Sequence, residues 1–277
     1  MEQLGLHGHL TLYADDTCLF YFGAALHEVL LLVVQETCYI IFRSKNKTIP
    51  NRQPLVIDNI PIDEKTFEKY LGLRVDQNLT WNNQIEHIKY KISSLIGPLR
   101  SVSECIPRKL CLNIYNSVVR PHLLYLIEIW GTSTKSKLQQ LQRKQNKIIK
   151  IIFGLPFLTR TYTIREKTKI MNIKQLYVLN TCLLIRKILN KTIHTSLKFI
   201  KQIDITKRSS RRASLIVLPK KIRTNYGKRN INFEGVQLYN ALPSHIRNVS
   251  SSFVLFRSTL IQHILDKRSL LVVSVAQ

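Results

Sequence analysis

A chain of 277 residues, 45% of them hydrophobic, has the length for one or two packed cores and is too apolar to be disordered throughout. Its 42 Lys and Arg outnumber 17 Asp and Glu, giving a formal charge of +25; such self-repulsion calls for a polyanionic partner, nucleic acid above all, the plain alternative being a basic protein kept soluble by its charge. The cysteines Cys18, Cys38, Cys105, Cys111 and Cys182 form no CxxC pair, which excludes a zinc signature and suits reduced thiols in a nuclear or cytoplasmic protein rather than a secreted one.

From the N-terminus, residues 8–22 (GHLTLYADDTCLFYF) alternate as two strands, with Leu10, Leu12 and Ala14 on one face and Thr11 and Tyr13 on the other. Asp15 and Asp16 fall at the tight turn between them, where Asp tolerates left-handed backbone angles. Two adjacent carboxylates at such a turn are either part of a divalent-metal site or solvated turn chemistry. Gly23 precedes a short apolar helix, AALHEVLLLVVQ. Its run Leu30–Val34 is too short to cross a bilayer, with His27 and Glu28 beside it, so no membrane partner is expected. Strand-like pieces follow at 39–44, 55–58 and 69–76, with DNIPID as a turn.

After Trp81 the period becomes helical. Ile85, Ile88, Ile92, Leu95, Ile96 and Leu99 recur at spacings of three and four, with Pro98 near the end of the run. A second helix opens at Pro107 and stops before Pro121, with Leu110, Ile114 and Val118 as its inner stripe. A third spans 136–153 and is closed by Gly154 and Pro156. Its Leu138, Leu141, Ile148, Ile149, Ile152 and Phe153 face inward. Lys137, Arg143, Lys144, Lys147 and Lys150 can face out, either as a solvated surface or as a track for a nucleic-acid duplex. A fourth helix covers 173–190, with Leu176, Tyr177, Leu183, Leu184 and Ile188 apolar.

The stretch 204–230 carries nine basic residues against one acidic, with Pro219 and Gly227 inside it, and is expected to be extended or loop-like. Its Arg211, Arg212, Lys220, Lys221, Arg223, Lys228 and Arg229, with Tyr226 among them, either follow a phosphate backbone or form a polybasic loop. A last helix is expected near 252–266. Trp81 and Trp130 are expected as core anchors and Cys105 and Cys111 as core thiols, while His87 and His122 have no partner at metal-ligand spacing.

Six stretches, in this order, carry a resemblance: LYADDTCLF, YIIFRSKNK, KYLGLRVDQNLTW, IYNSVVRPHLLYLIEIWG, LQQLQRKQNKIIKIIFGLP and YGKRNINFEGVQLYNALPSHIR. Together they resemble the C-terminal part of the reverse transcriptase of non-LTR (LINE-type) retrotransposons, most like the insect jockey-like elements. The resemblance implies an α+β fold: a palm-sheet remnant with a YADD hairpin over 1–80, a thumb-like helical region over 81–155, and a basic, mostly helical region over 156–277. It implies RNA-directed DNA polymerisation with Mg²⁺ on an RNA or DNA template–primer duplex. Asp15 would be a catalytic metal ligand, Asp16 a ligand or close neighbour, and Tyr13 would lie near the primer terminus.

Three departures qualify that implication. The family's further metal-binding Asp lies upstream of the YADD motif, whereas twelve residues precede Tyr13 here and Glu2 is the acid among them. Thr37 matches a family Thr, but Glu36 then occupies the position of a Lys expected near the triphosphate. Tyr239 stands where the family commonly has Trp. The expectation is a truncated reverse-transcriptase segment, catalytically inactive but still binding nucleic acid; the alternative is a host-used nucleic-acid-binding or interaction module.

Overall fold

The computed structural model describes residues 8–13, 16–21, 38–46, 54–57, 60–193, 195, 201–203, 215–217, 222, 224, 227–248 and 252–266. The expected helix at 24–35, Asp15, Glu36, Thr37, Arg211, Arg212, Lys220, Lys221, Arg223 and Tyr226 lie outside the described residues. The chain divides into two compact units, Met1–Gln84 and Ile85–Gln277. Its described residues are mixed α and β but mostly helical, and every sheet among them is two-stranded.

In the first unit, β1 (Gly8–Tyr13) runs antiparallel to β2 (Asp16–Tyr21), from Gly8↔Tyr21 to Tyr13↔Asp16. β3 (Cys38–Tyr39) lies parallel to β6 (Asp63–Glu64), and β4 (Val56–Ile57) antiparallel to β5 (Ile60–Pro61). The stretch expected as one strand over 69–76 is instead part of a hairpin, β7 (Phe67–Tyr70) against β8 (Leu73–Asp76). Leu71 and Gly72 both have positive φ, 46° and 77°, which is the backbone a two-residue primed turn requires. Periodicity alone does not reveal that turn, because Leu at its first position looks like one more strand residue.

The LRVDQNLTW stretch is also a structural device. Asp76 is 8% exposed and accepts from Thr80 N at 3.0 Å, Thr80 Oγ1 at 2.7 Å and Trp81 N at 3.0 Å. These bonds hold a turn in which Leu79 and Trp81 both adopt left-handed backbone, φ 44° and 62°. Trp81 is therefore half-buried at a strained turn rather than a core anchor. Of the 39–44 piece, only Tyr39 belongs to a ladder; Arg43 is tied through its N–H to Gln77 O at 2.9 Å and through its carbonyl to Asn78 Nδ2 at 2.9 Å.

The second unit packs its helices around one long buried helix, Ile173–Leu189. α1 (Asn82–Ser94) opens at the unit boundary and buries Ile85, Ile88 and Ile92. α2 (Ile96–Cys105) starts anew after Leu95, so Pro98 sits in a first turn, where its missing N–H costs nothing. Cys105 at its end is exposed, contrary to expectation, whereas Cys111 is buried. α3 (Arg108–Ile114), a π-helical turn (Tyr115–Val119) and α4 (Arg120–Leu124) form one continuous rod that does not stop before Pro121. Its inner stripe is Cys111, Tyr115, Val119 and Leu123, while Leu110 and Val118 are 49% and 40% exposed. The π turn is the physical reason: wider than an α turn, it keeps residues four apart on one face.

Leu126, at φ 50°, breaks the rod before α5 (Ile127–Trp130), whose Trp130 is fully buried and donates its indole N–H to Tyr125 O at 2.8 Å. α6 (Lys135–Phe153) ends on Gly154 in left-handed conformation, as the sequence predicts. After α7 (Thr161–Thr168), α8 (Ile173–Leu189) begins with a reciprocal capping box between Asn172 and Gln175. α8 is the core: Leu176, Tyr177, Val178, Leu179, Cys182, Ile185 and Ile188 are buried, and it packs against α4, α5, α6, α9 (Val236–Asn240) and α10 (Phe253–Asp266). Within the basic stretch, β10 (Leu215–Val217) pairs antiparallel with β9 (Lys201–Ile203), while Lys228 and Arg229 lie in a 3₁₀ turn, Gly227–Arg229. The side-chain amide of Asn240 brackets Val217, accepting from its N–H at 3.0 Å and donating to its carbonyl at 2.7 Å.

Candidate nucleic-acid interface

α6 is sorted by polarity around its axis. Leu141, Ile148, Ile149 and Ile152 are buried, and so are two polar residues that hydrophobic periodicity does not detect, Gln145 and Asn146. Gln145 donates to Tyr115 OH at 2.9 Å and to Met171 O at 3.0 Å. Gln142 donates to Gln145 Oε1 and to Asn146 Oδ1, both at 2.8 Å, and accepts from Ile173 N at 2.9 Å. Asn146 reaches Thr161 Oγ1 at 3.0 Å. A satisfied amide network of this kind fixes rotation and axial position together, because slipping α6 by one residue would strand several buried polar groups. The sequence signal was present in the spacing of Gln142, Gln145 and Asn146 along the inward side.

The network leaves a cationic face turned away from the core. The nineteen residues of α6 contain six Lys and Arg and no acid. Arg143 is exposed; Lys137, Lys144, Lys147 and Lys150 are half-buried. These five do not behave alike. Lys137 is 3.4 Å from Glu86, which also pairs with Lys89 at 2.8 Å. Those two ammonium groups, Lys89 before Lys137, hold the Glu86 carboxyl below the usual carboxylate range. Lys150 donates to Phe157 O and stands 5.5 Å over the Phe157 ring. Arg143, Lys144 and Lys147 have neither a hydrogen bond nor an ion pair among the described residues, and they cluster within one helical turn. In the 3₁₀ turn Arg229 is exposed and acts electrostatically on Glu234, and Lys228 is half-buried.

The charge is also partitioned along the chain. Of the 42 Lys and Arg, 35 fall within 85–277, with 7 of the 17 Asp and Glu; residues 1–84 carry 7 basic and 10 acidic residues. The first unit is thus slightly acidic, and the whole cationic excess belongs to the helical unit.

The carboxylates at the first turn present a different case. Asp16 closes the β1–β2 ladder opposite Tyr13, and Asp15 is outside the described residues. No group of three or more His, Cys, Asp or Glu able to hold a metal gathers among the described residues. Three other acids of the first unit have partners of their own: Asp76 in its turn, Glu68 with Lys65 at 2.5 Å, and Glu64 with Tyr39 OH at 3.5 Å.

Comparison with known proteins gives no matching family model and no matching solved structure. A probable RNA-directed DNA polymerase from transposon X-element of Drosophila melanogaster is 24% identical over 187 residues, covering 59% of this chain and 20% of that protein. The probable RNA-directed DNA polymerase from transposon BS of the same species is 24% identical over 190 residues, with 60% and 21% covered. The RNA-directed DNA polymerase from mobile element jockey of Drosophila melanogaster is 31% identical over 109 residues, with 37% and 12% covered.

This chain is similar to the RNA-directed DNA polymerases of non-LTR transposons. It spans about a fifth of the length of the first two of these relatives. Reverse transcriptases in general imply a divalent metal, but a two-metal centre needs several converging anionic ligands, and the described residues do not assemble them. No helix among the described residues is long and apolar enough to cross a membrane.

Proposed function

We propose that this chain is a segment of reverse-transcriptase descent that binds an RNA or DNA template–primer duplex through its helical unit, and that these 277 residues alone do not synthesise DNA. The observation that carries the reading is the partition of charge: the whole cationic excess lies in 85–277, where Arg143, Lys144 and Lys147 form a cationic face, unpaired among the described residues, on a helix locked by the Gln142–Gln145–Asn146 network. The similarity to RNA-directed DNA polymerases supports nucleic acid, rather than an acidic protein, as the polyanion. In this reading the first unit is a palm remnant and β1–β2 is the YADD hairpin, with Tyr13 near the primer terminus. Asp15 and Asp16 would be the residues to hold Mg²⁺, and two carboxylates are too few for a tightly bound pair of ions.

Binding followed by anisotropy over a range of salt tests the first half. Log K should fall linearly with log salt, by about 0.9 per phosphate neutralised on duplex, and changing Arg143, Lys144 and Lys147 to Gln should reduce the slope without altering the melting temperature. An unchanged slope in that triple variant would remove α6 from the interface. Primer extension on a primed RNA template with Mg²⁺ or Mn²⁺ tests the second half. We expect no product; extension by the wild type that is abolished by Asp15→Asn with Asp16→Asn would establish a complete catalytic site instead.

A further inference from the structure

The two most exposed of the large apolar side chains among the described residues are neighbours in sequence: Leu158 at 88% and Phe157 at 78%. They form the tip of a closed turn. Thr159 N donates to Pro156 O at 3.0 Å and Thr159 Oγ1 to the same carbonyl at 2.6 Å, so Pro156–Thr159 is pinned at both ends. The turn is anchored to the end of α6. Leu155 N donates to Lys150 O at 2.8 Å, and the Lys150 ammonium both bonds the Phe157 carbonyl and lies 5.5 Å over the Phe157 ring. The ring is therefore held out in a defined position by a cation on one of its faces.

The surroundings select the occupant. Lys147 lies one turn before Lys150, Arg160 is exposed just beyond the turn, and no Asp or Glu occurs between Glu128 and Glu166. An apolar tip of two residues is far too small to nucleate a protein interface, which buries about 800 Å² on each partner. It matches the wedges of Phe and Leu that enter between bases, and a base offers a π-face to stack on whatever its identity.

We propose that Phe157 and Leu158 form a stacking element that packs against an unpaired base of the nucleic acid held by α6, with Lys150 holding the ring and Lys147 and Arg160 steering the adjoining phosphates. This rests on the nucleic-acid reading of α6, and the test separates the two. The full chain is titrated with a primed duplex whose single-stranded overhang carries 2-aminopurine, following anisotropy for binding and 2-aminopurine emission for stacking. The wild type and Phe157→Trp should quench the emission. Phe157→Ala with Leu158→Ala should abolish the quench and weaken binding about ten-fold, with the salt slope unchanged because no phosphate contact is removed. Binding without a quench, or a quench that survives the double substitution, overturns the stacking element and leaves α6 binding intact. Absence of any binding at low salt overturns both readings. Co-sedimentation with phosphatidylserine vesicles that is lost in the double variant, with no quench on the oligonucleotide, assigns the tip to a lipid surface and overturns the proposal.

Discussion

Single residues set two measurable properties of the helical unit. Gln145 is fully buried and serves Tyr115 OH and Met171 O at once. Gln145→Leu keeps the volume but leaves both partners unpaired, so it should cost about 1–3 kcal/mol in a denaturant titration. Adding Tyr115→Phe should recover part of that loss, since one of the stranded groups is then gone. Glu234 is the second case. Burial pushes its carboxyl up to about 7, against the pull of Arg229, Lys174 and a hydrogen bond from Tyr177. The native state thus holds a proton that the unfolded state has already released above its ordinary value of about 4.3, and stability falls as pH rises from there to about 7. Glu234→Gln mimics the protonated form. It should melt like wild type near pH 5 and above wild type near pH 8. Glu128 is raised by burial in the same direction, with Lys187 opposing, so some slope persists in the variant.

At the scale of elements, two glycines in helical backbone predict opposite outcomes. A Cβ at Gly131 would stand 2.4 Å from Ile127 O and 2.4 Å from the Tyr177 ring, where the end of α5 meets α8. The backbone atom cannot yield, and Gly131→Ala should cost about 1–3 kcal/mol by overpacking. A Cβ at Gly97, inside α2, meets nothing within 4 Å, so Gly97→Ala should raise stability by up to about 1 kcal/mol through helix propensity. Thermal melts of the two single variants, moving in opposite directions, would check the packing of α5 on α8 against plain propensity. The α3–α4 rod teaches a related point. The four-residue spacing of Cys111, Tyr115, Val119 and Leu123 drifts around an ordinary helix, and the π turn cancels the drift while leaving Pro121 in the first turn of α4.

For the whole molecule, the partition of charge predicts where a polyanion lands. Neutralising Lys45 and Lys69, exposed residues of the slightly acidic first unit, should leave the salt dependence of oligonucleotide binding unchanged. Losing Arg143, Lys144 and Lys147 should reduce it. Equal effects from the two sets would mean that net charge, and not the arrangement on α6, drives binding.

Much of the helical unit was legible in the sequence because its signals are local. The three-and-four spacing around Ile85–Ile92, Gly154 closing α6, the apolar run of α8 and the last helix all follow from short-range pattern and capping chemistry. The resemblance to reverse transcriptases was legible too, because it resides in the order of residue strings and needs no coordinates. What the sequence could not decide depends on long-range packing. The inner stripe of α3–α4 shifted by one residue, Cys105 came to the surface, and Trp81 became a half-buried turn residue held by Asp76. The same holds for the site: the sequence offered five cations on one helix, and only the tertiary contacts separated Lys137, paired with Glu86, and Lys150, turned onto Phe157, from Arg143, Lys144 and Lys147. A side chain's charge is written in its identity, but whether that charge is free for a ligand depends on neighbours brought from elsewhere in the chain.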